Sequence, residues 1–225
     1  MSWTKQLFGS SIGRKFAMAL SALFLMFFLL QHFLINVSST FSPDLFNELS
    51  HFMGTNPLVQ FLLQPVLIFG VMYHFIMGFI LEAKNRSARG EVKYVSYKGS
   101  ANSTWFSRNM IYTGLVILFF LGLHFYDFWI PEMNFKYVQF NPEDPERYFG
   151  ELVHKFKDPI RVGIYVISFV LLAMHLLHGF QSAFQSVGAR HPKYFPLIQK
   201  LGKAYAILIP AGFIFIALFH LINQH

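Results

Sequence analysis

Cysteine is missing from this chain altogether. That excludes disulfide staples, thioether attachment of a haem and any iron–sulfur cluster ligated by this polypeptide alone. Charge is scarce too: Asp, Glu, Lys and Arg make up 13% of the 225 residues, about half the share of a soluble domain. The alternating apolar and polar pattern of a membrane barrel strand is not found. Nor does the N-terminus read as a cleaved leader, because the first apolar run has spanning length and no small-residue cleavage site.

What is present is apolar. Hydrophobic residues make up 54% of the chain and aromatic ones 19%, arranged in runs of the roughly 20 residues that a transmembrane helix needs. Five such runs cover about 16–37, 58–81, 110–130, 160–184 and 204–222. The expected fold is all-α: a polytopic membrane protein with five transmembrane helices in a single transmembrane domain, residues 1–225. Pro57 suits a helix start, and Pro65 is expected to kink the second span. The segments 38–57 and 131–159 read as connecting loops.

Net charge is +7, and in this class it reports orientation. Lys5, Arg14, Lys15, Lys84, Arg86, Arg89, Lys93, Lys98, Arg108, Arg190, Lys193, Lys200 and Lys203 fall on the side of the N-terminus. The other side holds Lys136, Arg147, Lys155, Lys157 and Arg161, diluted by Asp and Glu. The positive-inside rule then puts the N-terminus in the cytoplasm and the C-terminus outside. The charges flank apolar spans rather than forming one stripe, so nucleic acid is not an expected partner; the lipid bilayer is.

Four of the spans carry a histidine in their apolar part: His32, His74, His124 and His175. Depth follows from the helical rise of about 1.5 Å per residue. Lys15 to His32 is about 25 Å and Arg108 to His124 about 24 Å, which puts both near the outer side. Leu58 to His74 is about 24 Å and Arg161 to His175 about 21 Å on helices running the other way, which puts that pair toward the cytoplasm. Two imidazoles at equal height on two helices are what a bis-histidine haem iron requires. Four of the helices are thus expected to form a bundle for two haem b groups. His178 lies one turn beyond His175 and competes with it. Helices two and four read His74-x3-Gly78 and His175-x3-Gly179, and a glycine four residues on, on the same face, leaves room for a porphyrin. His178 has no such glycine, so His175 is chosen. Haem propionates need cations or hydrogen bonds, and Arg14, Lys15, Ser107 and Arg108 lie at the inner interface where the inner haem would offer them.

These residues resemble a family: the membrane-anchor cytochrome b subunit of succinate:quinone oxidoreductases and fumarate reductases (complex II), in its single-chain, five-helix, two-haem form. The resemblance rests on Gly9-Ser-Ser-Ile-Gly-Arg-Lys15 entering the first span with Gln31-His32 near its end, and on Tyr73-His74-x3-Gly78. It continues in Ser107-Arg-Asn-Met-Ile-Tyr-Thr-Gly114 with His124 ten residues later, and in His175-x3-Gly179. It implies that His32 and His124 ligate the distal haem and His74 and His175 the proximal one. It implies a cytoplasmic flavoprotein and an iron–sulfur protein as partners, and a bacterial inner membrane as the location. Electrons would pass between the iron–sulfur subunit and quinone, menaquinone being expected, with no catalytic residue for succinate on this chain. A higher oligomer and the direction of the reaction are left open. Two departures stand out. A carboxylate that some two-haem members carry two residues before the fourth ligand is Ala173 here, and a basic propionate partner late in the fourth helix is Ser186.

Quinone chemistry needs a protonatable group, and the outer loop offers Glu48, His51 and Asp44. The alternative from another class is a non-haem transporter or proton relay built on intramembrane histidines, which would call for more intramembrane carboxylates. Asp127, expected at a helix end, is the sole candidate.

Overall fold

The computed structural model describes residues 10–89 and 108–223, and every regular element within them is helical. Lipid offers no water to bond N–H and C=O groups, so a spanning segment must satisfy its own backbone. The elements are α1 (Ser11–Ser38), α2 (Pro43–Thr55), α3 (Gln64–Arg89), α4 (Met110–His124), α5 (Ile130–Met133), α6 (Arg147–Phe156), α7 (Pro159–Ser186) and α8 (Phe195–Ile222). Wider π-helical turns precede α3 (Val59–Leu63), join α4 to α5 (Phe125–Trp129) and follow α5 (Asn134–Val138). With those turns, α4 and α5 make one rod, Met110–Val138, and five rods are long and apolar enough to cross a membrane.

The rods outrun the apolar runs because polar residues cap them. Ser10 Oγ accepts from the Gly13 amide at 3.0 Å ahead of α1, and Asp158 accepts from the Ile160 amide at 2.9 Å beside Pro159 at the start of α7. Such caps satisfy amides that the helix itself leaves free. At Pro65 the chain passes through the π-helical turn Val59–Leu63 just before the proline. Turns of this kind are among the adjustments that re-satisfy backbone groups near a membrane proline.

Both expected loops contain helices. Ser42 caps α2, with Pro43 in its first turn and Asp44 near the positive helix end; these start signals were legible but sat in a segment with no long apolar run. The segment 131–159 holds the end of the Met110–Val138 rod, formed by α5 and its π-turn, and then α6. Helices α2 and α6 lie together across one end of the bundle. The Asn47 side chain pins them: its Oδ1 accepts from the Phe149 amide at 2.7 Å and its Nδ2 donates to the Glu146 carbonyl at 3.0 Å. This is the capped end; the opposite one is the open end.

Contacts between rods give a ring in the order α1, α3, α4, α7 and back to α1, with α8 packed outside it against α7 and α1. The α7–α8 seam is the most extensive contact, and it is close because α8 presents small buried residues, Gly202, Ala206 and Ala217, on one face. Small residues are how helices approach in lipid, where packing rather than water expulsion drives association. A Cβ on Gly202 would sit 2.6 Å from the Phe180 ring, too close to coexist with it. The Tyr205 hydroxyl ties α8 to α1 by donating to the Met26 carbonyl at 2.6 Å. Large exposed side chains such as Phe27, Phe61, Phe69 and Phe119 cover the outward faces, as lipid contact requires.

Ala206 is wholly buried. Ala206→Leu is expected to overpack the seam and cost about 1–3 kcal/mol, read as a lower unfolding midpoint of the detergent-solubilised chain.

Candidate functional site: two histidine pairs across the bundle

The ring order makes α1 and α4 diagonal partners, and α3 and α7 likewise. Each diagonal carries one histidine pair. His32 on α1 and His124 on α4 have ring centres 5.8 Å apart with planes at 87°. His74 on α3 and His175 on α7 have ring centres 6.4 Å apart with planes at 68°. Tyr165 packs against His124 at 6.3 Å and precedes His175 by ten residues on α7. At the helical rise that separates the two levels by about 15 Å along the bundle. The first pair lies toward the capped end and the second toward the open end.

Two imidazoles that each bind one metal through a nitrogen at about 2.0–2.1 Å have ring centres about 6 Å apart. Both pairs fit that spacing. Edge-to-face packing of aromatic rings covers the same range, so the distance by itself is shared by two explanations. Burial and partners separate them. Among the described residues no hydrogen bond joins the rings of either pair, and His124 Nδ1 is buried with no partner. Buried polar atoms that serve only packing are rarely left so. Aromatic side chains flank the capped-end pair: Phe28 stacks on His32 at 5.5 Å and Phe120 on His124 at 5.8 Å, with Phe213 of α8 5.8 Å from His32. At the open-end pair, Ser21 Oγ lies 3.2 Å from His74 Nδ1, and Thr113 Oγ1 lies 3.2 Å from His175 Nδ1.

The glycines expected to make room for a porphyrin have few neighbours. A Cβ on Gly78 would meet only the Met18 methyl, at 3.7 Å, and one on Gly179 would meet Met110 Cε at 3.9 Å and His175 Cδ2 at 4.0 Å. These are ordinary contacts. Gly114 is the closer match to the ring, its Cβ position lying 3.8 Å from His175 Cε1. His178 is half-buried on α7 and is not the ring that faces His74.

Of the expected propionate partners, Arg14 is half-buried and Lys15 and Arg108 are exposed, all at the open end. Ser107 lies outside the described residues. Among the quinone candidates, Asp44 and Glu48 are exposed on α2. His51 is half-buried there, 6.2 Å from the Tyr148 ring and with Nε2 3.7 Å from Glu143. Nearby, Glu132 accepts from Arg147 and forms an ion pair with Lys136, whose ammonium donates to the Gly54 carbonyl, and Arg147 also reaches Glu151 at 2.6 Å. Burial would lower the Arg147 pKa, but its bonds to the two carboxylates raise it above the ordinary value. The Tyr148 phenol is pushed up to about 12 by burial and by the charge of Glu132.

Two constellations escaped the sequence reading. Asp127, expected at a helix end, lies inside a rod that continues to Val138 and is fully buried. The Tyr165 hydroxyl donates to its Oδ2 at 2.9 Å and Arg161 Nε approaches the same oxygen at 3.3 Å, while Oδ1 has no partner among the described residues. Arg161, an outer-side charge by sequence, stands one turn before Tyr165, and that spacing is the signal for the cluster. His220, with no evident partner in sequence, is buried with Nε2 2.9 Å from Ser39 Oγ.

The fold and the two diagonal pairs define a helical, polytopic membrane protein with a histidine-lined core. The chain is similar to the succinate dehydrogenase cytochrome b558 subunit of Bacillus subtilis (strain 168), with 22% identity over 156 residues, 69% of this chain and 69% of that protein. No protein-family model matches the chain. No solved structure matches it either.

Removing one partner from a buried ion pair strands the other charge. Arg161→Met is expected to destabilise by about 3–5 kcal/mol, and Asp127→Leu added to it to recover much of that loss. Thermal unfolding of the single and double variants in detergent checks the recovery.

Proposed function

We propose that this chain is the dihaem cytochrome b anchor of a succinate:quinone oxidoreductase or fumarate reductase, passing electrons between an iron–sulfur subunit and membrane quinone. The observation that carries the reading is the repetition of one arrangement: imidazoles from diagonal helices, at metal-bridging spacing, at two levels of one bundle. The similarity to a succinate dehydrogenase cytochrome b558 subunit supports it. Haem b, when bound, supplies an iron that takes up and releases one electron at a time.

The chain's residues supply the rest. His32 and His124 hold the distal group, and His74 and His175 the proximal one. Phe28, Phe120 and Phe213 surround the capped-end rings and keep water from them. Gly78 and Gly179 leave their helix faces free of side chains, and Arg14, Lys15 and Arg108 offer cations to propionates at the open end. With the N-terminus in the cytoplasm, as the positive-inside rule reads, the open end meets the flavoprotein and iron–sulfur subunits. Succinate and fumarate are interconverted on the flavoprotein. The capped end faces outward, and His51, beside Asp44 and Glu48 on α2, is the protonatable group best placed there for quinone, with menaquinone the expected partner. The membrane is the bacterial inner membrane.

A reduced-minus-oxidised spectrum of the purified chain is expected to show low-spin bis-histidine haem b at two haems per polypeptide. His74→Ala and His175→Ala should remove one component and His32→Ala and His124→Ala the other, with His178→Ala removing neither. A folded, colourless wild-type preparation would overturn the reading.

A further inference from the structure

The two hydroxyls beside the open-end pair do more than fill space. A hydroxyl has one proton to give. Ser21 gives its proton to the Met18 carbonyl at 2.8 Å, and Thr113 gives its own to the Met110 carbonyl at 3.0 Å, with the Asn109 carbonyl at 3.3 Å as a second acceptor. Each oxygen can then only accept from the imidazole nitrogen 3.2 Å away, a normal N–H···O distance. The donor in both contacts is Nδ1–H. Neutral imidazole carries one N–H, so Nε2 of His74 and of His175 is left as a bare lone pair.

The helix packing makes this possible. Ser21 on α1 faces His74 on the adjacent α3, and Thr113 on α4 faces His175 on the adjacent α7. Gly114, next to Thr113, faces the same ring: a Cβ there would lie 3.8 Å from His175 Cε1, an ordinary contact. Among the described residues the capped-end pair has no equivalent. His124 Nδ1 has no partner, and the Asn36 amide stands 3.5 Å from both His32 ring nitrogens while bonding the His32 carbonyl at 2.8 Å.

We propose that Ser21 and Thr113 are positioning residues for the open-end pair alone: they fix the Nδ1–H tautomer of His74 and His175 and raise the electron-donating strength of each Nε2. This rests on the dihaem reading. A hydrogen bond from Nδ1–H pushes electron density onto Nε2 and favours the more highly charged state of a metal bound there. Losing it should make that metal easier to reduce.

The test uses the full-length, haem-loaded chain and a spectroscopic redox titration. Two haems in the wild type establish the parent reading independently; their absence would end that reading rather than this one. Thr113→Val keeps the side-chain shape and removes the acceptor; Thr113→Ser keeps the acceptor. The same logic pairs Ser21→Ala with Ser21→Thr. At a fixed poise, Thr113→Val and Ser21→Ala are each expected to raise the reduced-to-oxidised ratio of one haem component by about three- to tenfold, the range one lost hydrogen bond supplies. The component is the one abolished by His175→Ala, and the other should not move. Loss of that haem in Thr113→Val with retention in Thr113→Ser would also support the proposal. An unmoved titration, a shift of both components, or equal effects in Thr113→Val and Thr113→Ser would overturn it.

Discussion

The constraint on which the structure depends is the absence of water along the spans. Every polar group placed there must find its partner inside the protein, and the chain meets that demand almost group by group. Tyr205 bonds the Met26 carbonyl, His220 meets Ser39, and Tyr165 and Arg161 converge on Asp127. Ser21 and Thr113 receive the Nδ1 edges of two imidazoles. These links run between helices and fix their rotation, which apolar packing in lipid does only weakly. Once the rotation is fixed, the diagonal histidines have no choice but to face one another.

The fifth rod shows the same economy from the other side. Helix α8 contributes no histidine to either pair; its role is to back the ring. Its small residues let α7 close on it, and Phe213 reaches His32 on the neighbouring α1 while stacking on Phe169 of α7. That division explains why α7 and α8 are the most buried rods and α3 the least.

The spans and the identity of the histidine pairs were legible in sequence because both depend on one-dimensional quantities, run length and rise per residue. Counting residues from the charged ends put His32 level with His124 and His74 level with His175, and the rings meet in those combinations. The choice of His175 over His178 rested on Gly179, yet the ring's closest glycine is Gly114 on another helix. What stayed hidden was contact between rods. Asp127 read as a helix-end charge because Pro131 follows it, whereas π-helical turns carry the rod onward and turn the carboxylate inward. Nothing in the sequence says which helix the Thr113 hydroxyl faces. The capping helices α2 and α6 were missed because short amphipathic helices lack the run length that reveals a span.

The two ends of the core are built from different chemistry, and the difference follows from topology. At the open end, adjacent helices supply hydroxyls whose own protons are already committed to the turn before them, so they accept from the imidazoles and hold them still. At the capped end phenyl rings flank the imidazoles, the Asn36 amide lies 3.5 Å from both His32 ring nitrogens, Asp127 is engaged by Arg161 and Tyr165, and His124 Nδ1 has no partner among the described residues. An imidazole packed by aromatic faces keeps its orientation but receives no help with its electron density. The proposed iron sites would therefore differ electronically even with identical ligands. That asymmetry comes from which helices sit side by side rather than from the ligands themselves.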